Sequence, residues 1–256
     1  MCGINLILSL KKDILLQEKD KNNIFLMNKL VDYRGPDNSE IYCSDYINLG
    51  HNRLSIVDNR KISNQPFVSN TGKSIIIFNG EIYNFKELRN KSLLEGYKFR
   101  TSSDTEVIVS LYEIWGINGL DLLEGMFVFA IYDLNNNKVI IRRDKYGIKP
   151  FYYSIFNNKL YGSSEILPLI KITQNKTLNN KALGSIFVFD NNCFKESIIQ
   201  NIFKLLPGNQ IIYSDNSFSI KNWFNINSIK SSSIKSASNL NEELNEVLKK
   251  SILKQS

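Results

Sequence analysis

Met1-Cys2-Gly3-Ile4-Asn5-Leu6-Ile7-Leu8-Ser9-Leu10 is the stretch from which the rest of the chain can be read. Residues 2–10 form an apolar run with β-branched members, the pattern of a buried strand, and Cys2 stands at its exposed end. Removal of Met1, which a small second side chain permits, would leave Cys2 with a free α-amine beside its own thiol. A free α-amine titrates near about 8 and a free thiol near about 8.5, so close to neutrality the amine can take the thiol proton without a histidine. On its own, a Met-Cys-Gly start reads as an unremarkable cysteine at the head of a strand, because so short a motif recurs by chance. The remaining sequence decides between the two.

At 256 residues, 43% hydrophobic and 11% aromatic, the chain can bury one large core or two small ones. Its three cysteines, Cys2, Cys43 and Cys193, fall at no metal-ligand spacing, and a single histidine, His51, leaves no set of zinc ligands. Reduced thiols, a cytoplasmic location and no structural metal are the expectation. The apolar run is too short to cross a bilayer, and its positive charges, Lys11 and Lys12, follow it, so neither a membrane span nor a signal peptide is expected. A net charge of +7 raises nucleic acid as a partner. The lysines, however, are scattered through a Lys-, Asn- and Ile-rich chain with no basic stripe interleaved with aromatics, and no nucleic-acid binding is expected.

Outward from the first strand, apolar residues between Asn23 and Tyr33 recur at helical spacing and stop before the corner Arg34-Gly35-Pro36-Asp37. Residues 41–49 alternate as a strand or hairpin. Arg53 then precedes the short apolar segment Leu54-Ser55-Ile56-Val57, where its fork of donors would match a carboxylate, with His51 as a structural neighbour. A strand over residues 73–78 runs into Asn79-Gly80, and a helical pattern follows (Tyr83, Leu88, Leu93, Leu94). A strand-to-helix junction is predicted there, at which a side-chain amide and a backbone N–H converge on one oxygen, the geometry of an oxyanion hole. Ser103 or Asp104 caps a helix that continues to Trp115, and Asp104 also suits a substrate ammonium.

Residues 122–133 and 138–144 read as strands joined through Asn135-Asn136-Asn137, and a further hairpin spans residues 152–164. Strands outnumber helices, and the helices are bunched rather than alternating, which predicts an α+β fold of stacked antiparallel sheets. A helix over 178–189, a turn at 205–209 and a small hairpin over 210–220 follow. Residues 228–238, rich in Ser, Lys and Ala, read as a linker, and residues 239–253 as an amphipathic helix.

Several segments, in this order, carry a resemblance: Met1-Cys2-Gly3-Ile4, Arg34-Gly35-Pro36-Asp37, Arg53-Leu54-Ser55-Ile56-Val57-Asp58, Asn79-Gly80-Glu81-Ile82-Tyr83-Asn84, Ser103-Asp104-Thr105-Glu106, Glu124-Gly125-Met126-Phe127 and Arg143-Asp144 through Pro150. With weaker echoes at Ser164-Glu165-Ile166 and Leu206-Pro207-Gly208, the chain resembles the class II glutamine amidotransferases, and among them the N-terminal glutaminase half of glutamine-hydrolysing asparagine synthetase. The resemblance implies a four-layer αββα N-terminal-nucleophile hydrolase sandwich of two antiparallel sheets. It implies Cys2 as the nucleophile attacking the side-chain amide of L-glutamine, and Asn79 with the Gly80 N–H as oxyanion donors. Arg53 would take the α-carboxylate, Asp104 and Glu81 the α-ammonium, and Leu54-Ser55-Ile56-Val57 would line the substrate, with backbone contacts from Ile56 and Val57. Glu40 departs from the glycine often found there and would alter a loop near the site.

No cofactor is implied for the glutaminase step. ATP and magnesium would belong to a synthetase domain whose Ser-Gly-Gly-Leu-Asp-Ser phosphate loop is absent from the sequence. The implied organisation is an amidotransferase domain over 1–227, the linker over 228–238 and, over 239–256, the start of that synthetase domain. The chain is then a fragment, a truncated product, or a glutaminase subunit supplying a separate synthetase, and a homodimer is possible. The competing readings are a catalytically idle glutamine-binding remnant, an amidotransferase for another acceptor, and a basic interaction protein.

Overall fold

A computed structural model describes residues 1–228 and 237–255. Of the expected linker over 228–238, residues 229–236 lie outside the described residues, and residues 237 and 238 already belong to the C-terminal helix. Two six-stranded antiparallel sheets carry the fold. The first is built from β1 (Gly3–Ser9), β2 (Asn38–Cys43), β3 (Ile47–Arg53), β8 (Tyr152–Phe156), β9 (Lys159–Ser163) and β10 (Phe203–Lys204), in the order β10-β8-β9-β1-β3-β2. The second comprises β4 (Phe67–Val68), β5 (Ser74–Ile82), β6 (Gly125–Asp133), β7 (Lys138–Arg143), β11 (Asn209–Ser214) and β12 (Ser217–Asn222), ordered β12-β11-β7-β6-β5-β4.

Why the strands read as continuous apolar runs follows from the layering. Side chains alternate across a strand, so a strand covered on both faces needs apolar residues at odd and even positions alike. On β1, Ile4, Leu6 and Leu8 enter the core between the sheets, while Ile7 joins a separate cluster beneath α1 (Glu18–Leu30) and α4 (Ile166–Thr173). On β5, Ile75 and Ile77 point into the same inter-sheet core, while Ile76, Phe78 and Ile82 pack against α2 (Phe85–Leu94) and α3 (Asp104–Trp115). The expected four-layer αββα sandwich is therefore the one observed. Beyond it, α5 (Asn180–Phe189) is capped by the Asn179 side chain, and α6 (Ala237–Gln255) reaches the sandwich through Lys254 Nζ, which lies 2.7 Å from Glu124 Oε2.

Two sequence expectations shift, and one open alternative is decided. α1 begins at Glu18, ahead of its apolar stripe, because Gln17 and Asp20 form a reciprocal capping box. Residues 41–49 resolve into a hairpin of β2 and β3. Asn79-Gly80 is not a strand-to-helix junction: β5 continues through it to Ile82, and α2 begins only at Phe85. Pairing with β6 carries the strand on, Asn79 opposite Val128 and Gly80 opposite Phe127. Glycine is required there, since at φ +156° a Cβ on Gly80 would stand 2.1 Å from Met126 O and 2.7 Å from Phe127 Cα.

Candidate active site

Strand parity brings the candidate residues together. Cys2 shares a face with Ile4, Leu6 and Leu8; Arg53 shares one with Ile47, Leu49 and His51; Asn79 and Glu81 share one with Ile75 and Ile77. All three faces look into the inter-sheet layer. At one end of that layer the apolar filling gives way to a pocket lined by Cys2, Arg53, Asn79, Gly80, Glu81 and Asp104, with Leu54, Ile56 and Val57 at its wall. Ser55 is not part of the lining: its N–H donates to Asp37 Oδ2 at 2.7 Å, so it ties the Arg-Gly-Pro-Asp corner to the wall.

The Cys2 backbone is held from outside the pocket. Arg34 Nε donates to Cys2 O at 3.1 Å while Nη1 of the same side chain pairs with Glu165 Oε1, and Ile4 N donates to Ser164 Oγ at 3.1 Å. The corner at 34–37 and the segment 164–166 thus converge on the first strand. Burial pushes the Cys2 thiol up; the Leu54 N–H at 3.4 Å, the terminal ammonium and Arg53 act in the opposite direction. A thiol held up in this way needs a nearby base to become a nucleophile. His51 is not that base: it is fully buried, its Nε2 lies 3.0 Å from Phe78 O across the layer, and burial lowers it to about 4.

Opposite the thiol, two donors are left without protein acceptors. Asn79 Nδ2 is buried and bonds to no protein atom. Phe127 gives its N–H to Asp144 Oδ2 (3.2 Å) and takes the Asp144 N–H at 2.8 Å. The Gly80–Phe127 pair is consequently a non-hydrogen-bonded one, and the Gly80 N–H points to the open edge of β5. A buried, unpaired amide donor costs stability of order 1–3 kcal/mol, so its retention beside a nucleophile fits an oxygen acceptor that arrives with a ligand.

Charge is separated across the pocket. Arg53 donates through Nη2 to Asp58 O and through Nη1 to Arg60 O (3.1 Å) and Asn64 Oδ1 (2.7 Å), all on one loop. Glu40 Oε1 accepts from Asn64 Nδ2 at 3.0 Å, which fixes the orientation of the Asn64 amide; the glutamate that departs from the expected glycine thus braces the loop. On the other side Ser103, not Asp104, is the N-cap of α3, accepting from Thr105 N. Asp104 is free of capping and turns inward, where its Oδ2 accepts from Ile82 N at 3.1 Å and burial raises it to about 6.

Sequence reasoning missed Lys149 and Gln65. Lys149 is buried at the pocket, its Nζ 3.4 Å from Met1 Sδ, and burial lowers its pKa. It arrives there because Asp144 accepts the backbone N–H groups of Tyr146, Ile148 and Lys149, which folds the Arg143-to-Pro150 segment into a tight turn. Gln65 Oε1 takes the Phe78 N–H at 2.6 Å, closing the β5 edge just short of Gly80. Gln65 lies in no informative local pattern, and the Arg143-to-Pro150 segment that contains Lys149 does not by itself reveal that this side chain reaches the pocket. Among the described residues no cluster of His, Cys, Asp and Glu has the makings of a metal site, and no helix is long and apolar enough to cross a membrane.

An αββα sandwich with a thiol at the head of a central strand has the fold of the N-terminal-nucleophile hydrolases. The glutamine phosphoribosylpyrophosphate amidotransferase of Bacillus subtilis shares this fold, matching 87% of this chain and 49% of its own with a TM-score of 0.61 at 18% identity. Residues 1–224 match the glutamine amidotransferase domain family, and the chain belongs to it. Asparagine synthetase [glutamine-hydrolyzing] 1 of Bacillus subtilis is 33% identical over 229 residues, covering 89% of this chain and 36% of that protein. Asparagine synthetase B [glutamine-hydrolyzing] of Escherichia coli is 38% identical over 186 residues, covering 72% and 32% respectively. The chain spans less than half the length of these relatives.

Proposed function

We propose that this chain, once Met1 is removed, hydrolyses L-glutamine to L-glutamate and ammonia, and that the ammonia serves an ATP- and magnesium-dependent synthetase domain or subunit that amidates aspartate. The α-amine of Cys2 takes the thiol proton, and Sγ forms a bond to the side-chain amide carbon. Asn79 Nδ2 and the Gly80 N–H receive the oxygen as it becomes an anion. The proton held by the amine passes to the departing nitrogen, which leaves as ammonia, and a thioester remains. Water, deprotonated by the same amine, attacks the thioester and releases glutamate. Arg53 holds the α-carboxylate, and Asp104 with Glu81 holds the α-ammonium.

The observation that carries this reading is the buried Asn79 Nδ2 without a protein acceptor, in the pocket it shares with Cys2, Arg53 and Asp104. The acceptor is proposed from the relatives named above, and α6 as the opening helix of the synthetase part. The test is glutamate release from glutamine by the isolated chain, with mass spectrometry of its N-terminus. Release that is indifferent to ATP, magnesium and aspartate is expected; a chain starting at Cys2 that releases none would refute the reading.

Asp104 supplies a pH prediction. Glutamine binding needs its carboxylate charged, so KM is expected to rise as pH falls through about 6. Stability runs the other way. The folded state holds the Asp104 proton more tightly than the unfolded chain, so stability falls as pH rises from about 4 to about 6, and the full cost of the buried charge is present at pH 7. Asp104→Asn should therefore raise Tm at pH 7, lose that advantage near pH 4, and bind glutamine poorly at both, as thermal melts and calorimetry would record.

A further inference from the structure

Resting on the glutaminase reading, the geometry points to Asp58 as a positioning residue that locks the two charged arms of the pocket, Arg53 and Asp104, into one rigid spacing. Its side chain is almost wholly buried in the pocket lining and hydrogen-bonds to neither arm, and only its backbone carbonyl accepts from Arg53. Oδ1 accepts from Arg60 N (3.1 Å) and Arg60 Nε (2.9 Å), and Oδ2 accepts from Arg60 Nη2 (2.6 Å), Ser102 N (2.9 Å) and Ser102 Oγ (2.9 Å). With these bonds one carboxylate ties the loop at 58–64 to the segment that enters α3.

Each end of that tie reaches a substrate arm. The loop supplies all the protein acceptors of the Arg53 guanidinium: the carbonyls of Asp58 and Arg60 and the Asn64 amide oxygen. Ser102 lies two residues before Asp104, in the turn whose N-cap, Ser103, leaves Asp104 free to face inward. A free amino acid carries its cation and anion on one carbon, so a site that selects it must hold an opposing anion and cation at a fixed separation. Arg53 comes from β3 of one sheet and Asp104 from α3, which packs on the other. Asp58 bridges their supports, and Arg60 Nη2, which it holds, adds a bond of 3.2 Å to Ser102 Oγ. The guanidinium of Arg60 beside it holds its carboxyl far below the usual carboxylate range, so the bridge stays charged at any working pH.

The test is steady-state glutaminase kinetics of the full chain with Asp58→Asn and Ser102→Ala. Two ligands that keep the carboxamide and compete with glutamine are measured as inhibitors of its turnover: glutaramate, which lacks the α-amine, and 4-aminobutyramide, which lacks the α-carboxylate. Charge-assisted hydrogen bonds of this kind are each worth about 1.5–3 kcal/mol, so Asp58→Asn should lower kcat/KM by about 10- to 100-fold, chiefly through KM. Ser102→Ala should act in the same direction more weakly, and the double variant should fall short of additivity. The decisive readout is discrimination: the preference for glutamine over both inhibitors should shrink in Asp58→Asn. A preference that shrinks against one inhibitor alone, or weakened binding of all three ligands by one common factor with a lowered Tm, would overturn the coupling and leave an ordinary loop anchor. Wild-type KM and preferences in Asp58→Asn would overturn it while the glutaminase reading stands. A wild-type chain beginning at Cys2 that neither hydrolyses nor binds glutamine would overturn both.

Discussion

Cys2→Ala is expected to give a folded chain that still binds glutamine and releases no glutamate above the uncatalysed background. The fold should survive because little of it depends on the sulfur. Among the described residues the hydrogen bonds of the thiol are the two with Leu54, at 3.4 and 3.6 Å, whereas β1 is fixed by its ladders to β3 and β9 and by the bond from Arg34 to the Cys2 carbonyl, which belongs to the backbone. Activity should not survive, because Cys2 supplies the one thiol among the residues that line the pocket. His51 is committed to the Phe78 carbonyl across the layer, Ser103 Oγ accepts from Thr105 N, and Thr105 Oγ1 accepts from Gln65 Nε2. Alanine in second position also permits removal of Met1, so the comparison with wild type is made on chains of the same length. Glutamate release and a thermal melt, measured together, decide the matter: a stable variant that retains turnover would remove Cys2 from the mechanism.

How far the sequence anticipates this site depends on whether a residue sits in a regular strand. Period-two alternation places Cys2 on the Ile4-Leu6-Leu8 face and Asn79 on the Ile75-Ile77 face, and both faces are apolar because they meet between the sheets. Those two positions are therefore legible once the strands are. Arg53 is legible for the same reason, as the last inward residue of β3. The end of β5 is not, because Asn-Gly ordinarily breaks a strand; only the pairing of Asn79 and Gly80 with Val128 and Phe127, distant in sequence, keeps it extended. Asp104 is ambiguous in sequence because two candidate caps stand side by side, and tertiary structure chooses Ser103. Lys149, Gln65 and the bracing role of Asp58 lie in loops, where no period relates one side chain to the next, and Glu40, though on β2, braces a loop remote from it in sequence.

Asn79→Ala should slow turnover by roughly 100- to 1000-fold, about 2.7–4 kcal/mol of lost transition-state stabilisation, with KM changed far less. The direction of that split follows from where the amide sits. Asn79 belongs to neither charged arm of the pocket, so the groups proposed to bind the α-carbon end of glutamine, on Arg53, Glu81 and Asp104, are untouched by the substitution. What is removed is one of two donors aimed at an oxygen that carries full negative charge only in the transition state. The Gly80 N–H remains, and because the backbone of β5 is held by β6, it remains in place. A residual rate well above background is therefore expected, in contrast to Cys2→Ala. Stability should move the other way from activity. Nδ2 of Asn79 is a buried donor without a protein partner, and deleting it removes a desolvated group that the resting fold does not use. The lost packing of a small side chain offsets part of that gain, so the melting temperature should hold or rise. A variant with both KM and kcat unchanged would place the oxyanion elsewhere in the pocket. A variant whose KM rises in proportion to its loss of kcat/KM, at constant kcat, would make Asn79 a binding residue and leave the Gly80 N–H as the only donor to the developing charge.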